Sequence, residues 1–119
     1  MLRDMEFCNL SEVVIRPEND LDSLLDKVET AAWLGVIQSS FTDFPYLRKQ
    51  WKKNCDTECL LGVSLTGQMD NPSVLSSEAL AALKSRVIRI SRKASGVLGT
   101  KMPVAVSYTH LTLPTIYSV

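Results

Sequence analysis

Cys8 stands in the short polar stretch Glu6-Phe7-Cys8-Asn9-Leu10-Ser11-Glu12, directly ahead of the apolar run Val13-Val14-Ile15. A thiol at the mouth of a buried strand has partial access and polar neighbours, the two conditions a cysteine needs to act as a nucleophile or redox group. A single cysteine is equally able to serve as a small, inert hydrophobe in a core, so the residues alone leave both readings open. Cys55 and Cys59 are spaced to face the same way on a helix. A zinc site asks for about four Cys or His ligands, and His110 is the only histidine, so no metal site is expected. Three cysteines without a secretory signal do not make a disulfide framework.

Two other groups of residues could carry chemistry. Thr66, Gly67, Gln68 and Asp70 follow the apolar run Leu60-Leu61-Gly62-Val63-Ser64-Leu65, and α/β scaffolds gather their sites at the C-terminal ends of such strands. They are candidate pocket-lining residues, with an ordinary strand-exit loop as the alternative. The stretch Tyr46 to Lys53 interleaves Arg48, Lys49, Lys52 and Lys53 with Tyr46 and Trp51, a mixture used by phosphate and nucleic-acid surfaces. Thirteen basic residues balance thirteen acidic ones over the chain. That neutrality favours a short solvated helix, with Tyr46, Leu47 and Trp51 covering the core, and argues against a nucleic-acid or membrane partner. No apolar run is long enough to span a bilayer and Asp4 and Glu6 do not make a signal sequence, so the cytoplasm is the expected compartment.

The elements that must position these residues can be read in order. Val13, Val14 and Ile15 are β-branched without polar alternation, which predicts a strand buried on both faces. Pro17 ends it, and Asn19 is the expected N-cap of a helix with Asp20 and Asp22 in its first turn. Leu21, Leu24, Leu25, Val28, Ala31 and Ala32 recur at helical spacing, Trp33, Leu34, Val36 and Ile37 widen the apolar face, and Gly35 permits close approach of a neighbouring backbone. Leu60 to Leu65 is the second strand. Ser76 or Ser77 caps a second main helix carrying Leu80, Leu83, Val87, Ile90, Ala94 and Val97 inward, with Gly96 and Gly99 stopping it. Pro103-Val104-Ala105 begins a third strand. Alternating strands and helices predict an α/β fold with parallel pairing through right-handed crossovers, here about three strands and two main helices.

Three stretches carry a resemblance: Phe7 to Arg16, Gly35 to Phe44, and Leu60 to Asp70. In this order they resemble the catalytic barrel of a ribonucleotide reductase, most closely the adenosylcobalamin-dependent, usually monomeric ribonucleoside-triphosphate reductases. The resemblance implies that residues 1 to 105 are part of a ten-stranded α/β barrel and that Cys8 is one of the redox-pair cysteines, which reduces the ribose and is left as a disulfide. It implies adenosylcobalamin as cofactor, a ribonucleoside triphosphate as substrate, and thioredoxin or a similar dithiol as reductant. Asn9 and Ser11 would position Cys8 or line the pocket, with Thr66 and Gly67 as further candidates. Cys59 stands where the family resemblance would place an arginine, which argues for an incidental thiol there. The family's radical cysteine, catalytic glutamate and phosphate loop have no counterpart in these residues, so the chain is expected to be an internal piece, with Met1 an internal methionine, and to turn over nothing alone. A diiron-radical reductase and a small α/β binding module with an inert cysteine are the alternatives.

The likeness stops near Ala105. Val106-Ser107-Tyr108-Thr109-His110-Leu111-Thr112-Leu113-Pro114-Thr115 resembles one reading frame of a transposon-based sequencing-library adapter, and residues 106 to 119 hold no charged side chain where the chain as a whole is 22% charged. That segment is expected to be a non-native tail, which removes His110 as an acid, base or ligand.

Overall fold

A computed structural model describes residues 4–74 and 76–101. The expected third strand from Pro103 and the tail at 106–119, with His110, lie outside the described residues. The element order is β1 (Asn9–Val14), α1 (Leu21–Ser39), α2 (Lys49–Glu58), β2 (Leu61–Thr66) and α3 (Ser77–Leu98), with single 3₁₀ turns at Gln68–Asp70 and Pro72–Val74. The fold is α/β. β1 and β2 pair in parallel, from Asn9 beside Leu61 to Val14 beside Thr66, and the ladder extends through Ile15 N–H to the Thr66 carbonyl at 2.8 Å.

α1 and α3 pack on each other, and α1 lies along both strands. The core between helices and sheet is built from Val13, Ile15, Leu24, Val28, Ala32, Val36, Leu61, Val63, Leu83, Val87, Ile90 and Ala94, with Ala31 beside them. An ion pair from Arg86 to Glu29, 2.9 Å long, fastens the two helices near their exposed side. The apolar spacing of both main helices therefore read correctly at most positions. Leu34 and Ile37 are exposed although Val36 and Ser39 beside them are buried, because they lie on the side of α1 turned away from the core, and Val97 is exposed in the last turn of α3.

Three further expectations are corrected. Val14 is 41% exposed while Val13 and Ile15 are buried: the strand alternates, since the described helices cover one face of the sheet and not both. The N-cap of α1 is Asp20, not Asn19. The Asp20 carboxylate accepts from the Ser23 N–H at 2.8 Å and the Asp20 N–H donates to the Ser23 hydroxyl at 3.1 Å, a reciprocal box in which serine stands where Glu or Gln is usual. Asn19 instead braces the turn, its Oδ1 accepting from the Arg16 N–H and from Lys27 Nζ, each at 2.8 Å. Tyr46 is 98% exposed and Leu47 is exposed as well. α2 begins only at Lys49, so both lie in the preceding turn, and Trp51 alone of the three packs inward.

α3 is capped by Ser76, whose hydroxyl accepts from the Ala79 N–H at 3.2 Å. Gly99, at φ 71°, is its C-cap, while Gly96 lies within the helix.

Candidate functional site

Cys8 precedes β1, and its surroundings are set by an aromatic cluster. The Phe7 ring meets Phe44 edge-on at 5.3 Å between centroids and lies tilted over Trp51 at 4.5 Å, a contact type worth roughly 0.5–1.5 kcal/mol beyond the area buried. Cys8, next in the chain, lines a cavity of about 250 Å³ together with Phe7 itself, Asn9, Gln38, Ser39, Thr42 and Cys55. Cys8 itself is half-buried.

The polar neighbours suggested by the sequence are turned to the backbone. Asn9 Nδ2 donates to the Leu60 carbonyl at 2.9 Å, holding the start of β1 to the start of β2. The Ser11 hydroxyl donates to the Ala31 carbonyl at 3.2 Å, tying β1 to α1. Asn9 thus sits on the Cys8 cavity and fixes the strand behind it, whereas Ser11 faces a separate groove between β1 and α1 that also exposes Glu12, Arg16, Asp26, Lys27 and Thr30.

Thr66 and Gly67 lie at the other end of the sheet. The register puts Asn9 beside Leu61 and Val14 beside Thr66, so at ~3.3 Å per residue the two ends are about 17 Å apart. Thr66 is exposed and Gly67 half-buried, and neither lines the Cys8 cavity. Gly67 is in the left-handed region at φ 78°, and a Cβ there would stand 2.7 Å from the Ile15 carbonyl oxygen. Close backbone passage explains this glycine without any ligand. Nearby, buried Asn71 donates through Nδ2 to the carbonyls of Arg16, Pro17 and Asn19 at 3.2, 3.2 and 2.7 Å, which closes the loop after β1 against the loop after β2.

Sequence reasoning missed Cys55 as a neighbour of Cys8. The Cys55 Sγ accepts from the Phe7 N–H at 3.5 Å, a contact across 48 positions that no local pattern announces. All three cysteines are thiols. Burial pushes the Cys59 thiol above its ordinary pKa, and this residue occupies the left-handed C-cap of α2 at φ 48°, where it donates weakly to the Asp56 carbonyl at 3.5 Å. It is a buried structural thiol, not an activated one. Among the described residues there is no cluster of three His, Cys, Asp or Glu side chains fit to hold a metal ion, and no helix is long and apolar enough to cross a membrane.

Compared with known proteins, the chain matches no family model, no curated protein and no solved structure. What the arrangement can do chemically therefore rests on its own residues: a part-exposed thiol, a second, buried thiol on the same cavity, and a small polar and aromatic space between a strand entry and a helix exit.

Proposed function

We propose that this chain is a slice of the catalytic barrel of a ribonucleoside-triphosphate reductase, with Cys8 as one thiol of the pair that reduces the ribose. The observation that carries the proposal is the meeting of two of the three resembling stretches at one cavity. Phe7, Cys8 and Asn9 come from the first, and Gln38, Ser39, Phe41, Thr42 and Phe44 from the second, which runs from the end of α1 into the segment after it. The third stretch runs beside the first as β2, in parallel register. A parallel two-strand unit with its helices packed together on one face is also the kind of piece from which an α/β barrel is assembled, and the exposed Leu10 and Val14 on the opposite face would then be covered by the remainder of such a barrel.

In this reading Cys8 and a partner thiol supply two electrons and two protons, the ribose 2′-hydroxyl leaves as water, and a disulfide remains for an external dithiol such as thioredoxin to reduce. Asn9 holds the start of the strand that follows Cys8, and Phe7, the residue before the thiol, packs against Phe44 and Trp51. Adenosylcobalamin enters only through the sequence resemblance. The residues lining the Cys8 cavity hold nothing specific to the corrin ring of that cofactor, so no step runs through it.

The deciding experiment joins the chain to the coding sequence that flanks it and assays the complete protein for deoxynucleotide formation with thioredoxin as sole reductant. Cys8→Ser is expected to abolish multiple turnover. Sustained, undiminished turnover by that variant would remove the assignment, and a flanking sequence without a radical cysteine would remove the family.

A further inference from the structure

Cys8 shares its cavity with a second thiol, and the two differ in access. Cys55 is 5% exposed while Cys8 is half-buried, so a reagent in solvent meets Cys8 first. The Cys55 sulfur lies 3.5 Å from the amide nitrogen of Phe7, and that nitrogen is within about 5 Å of the Cys8 Cα by ordinary backbone dimensions. The two residues line the same cavity, which gives both thiols a shared space. α2 contributes no residue to the hydrophobic core cluster. It is held to the chain entering β1 by the Phe7–Trp51 contact and by Asn54 Nδ2, which donates to the carbonyls of Asp4 and Met5 at 3.0 and 3.2 Å.

We propose that Cys8 and Cys55 form a thiol–disulfide exchange pair, Cys8 attacking and Cys55 resolving, whose substrates are disulfides small or exposed enough to reach the cavity mouth. The Cys8 thiolate attacks one sulfur of an incoming R–S–S–R, the S–S bond breaks, and one RS⁻ leaves and takes up the proton that Cys8 gave. Cys55 then attacks the Cys8 sulfur of the mixed disulfide and expels the second RSH, which carries the proton from Cys55. The protein loses two electrons and two protons, and the incoming disulfide becomes two thiols. The resulting bond fastens α2 to the entry of β1. Cys59, walled in at the end of α2, takes no part. The inference is independent of the reductase reading, since it asks only for two thiols of unequal access on one cavity.

The test exposes the full, natively folded chain to oxidised glutathione, quenches with acid, and maps disulfides by peptide mass spectrometry. Wild-type protein is expected to pass through a glutathione adduct at Cys8 to a Cys8–Cys55 cross-linked peptide. Cys55→Ser should accumulate the Cys8 adduct at least tenfold over wild type, Cys8→Ser should leave Cys55 unmodified, and Cys59→Ser should behave as wild type. Should either variant misfold by circular dichroism, the wild-type map decides alone. A persistent Cys8 adduct without the cross-link, a cross-link to Cys59, or no reaction at Cys8 would each overturn the proposal.

Discussion

Leu61 fills the space above Gly35: a Cβ built on that glycine would collide with the Leu61 side chain. Gly35 is buried in α1 and Leu61 opens β2, so this one contact sets how closely helix and sheet approach. The sequence suggested that Gly35 admits a neighbouring backbone; what it admits is a leucine. Gly35→Ala gains up to ~1 kcal/mol of helix propensity but overpacks the site at a cost of ~1–3 kcal/mol. Net destabilisation is expected in urea unfolding. Leu61→Ala alone should cost ~2–5 kcal/mol, and because it empties the space that the new methyl needs, the double variant should fall clearly short of the summed losses. Strict additivity would show that the two residues do not meet.

At the other end of the sheet, Gly67 and Gly99 allow a clean comparison. Both have positive φ, 78° and 71°, yet a Cβ on Gly67 meets the Ile15 carbonyl whereas one on Gly99 meets nothing within 4 Å. Gly99→Ala should therefore lose only the left-handed backbone penalty, ~1–2 kcal/mol. Gly67→Ala should lose that and more, because the ladder from Ile15 to Thr66 has to shift. Equal midpoints for the two variants in urea would mean that the β1 and β2 exits are not in contact.

These two glycines also show how far the sequence could be read. Helical spacing located Leu24, Val28, Leu83, Val87 and Ile90 in the core, because a repeat of three and four residues reports directly on which face is buried. The same pattern could not say that the sheet has a covered and an open side, so Val14 read as buried. It could not distinguish Asn19 from Asp20 as the cap, since both residue types serve and the choice is made by Ser23, three residues beyond Asp20. The site was legible only in part. Cys8 was marked by its polar stretch before a strand, and Thr66 and Gly67 by their position after one. Their separation to opposite ends follows from a register that neither stretch encodes, and Cys55 reached the cavity through the packing of Trp51 on Phe7.

Asn71 is the residue whose role the sequence hid most completely, since an asparagine before a proline, here Pro72, is an ordinary turn signal. Its amide serves three carbonyls of the loop after β1, and its Oδ1 accepts from the Ser73 hydroxyl at 2.8 Å. Asn71→Ala removes these bonds to part-buried carbonyls and should cost about 1 kcal/mol. Asn71→Asp is the sharper variant, because at neutral pH it turns a carboxylate oxygen toward those carbonyls. That carboxyl would have its pKa raised in the folded state, so its loss should be greatest at neutral pH and ease as the pH falls and the group, once protonated, can donate. An Asn71→Asp melting profile parallel to wild type between pH 7 and about pH 4 would contradict the assignment.

Asp20 gives the opposite dependence. Its carboxyl is held below the ordinary aspartate pKa, first by the Ser23 backbone N–H and then by the Ser23 hydroxyl, against a smaller opposing effect of burial. A carboxyl with a depressed folded pKa contributes stability above its unfolded pKa and loses it as the pH falls through the folded value. Wild-type thermal stability should therefore decline below about pH 4, partly through this cap. Asp20→Asn keeps a capping acceptor but removes the titration, so its melting temperature should start slightly below wild type at neutral pH and fall less steeply in acid, the two curves converging. Ser23→Ala, which leaves the backbone bond but removes the hydroxyl, should keep the titration with a smaller slope. Parallel curves for wild type and Asp20→Asn would show that the start of α1 is not held by this carboxylate.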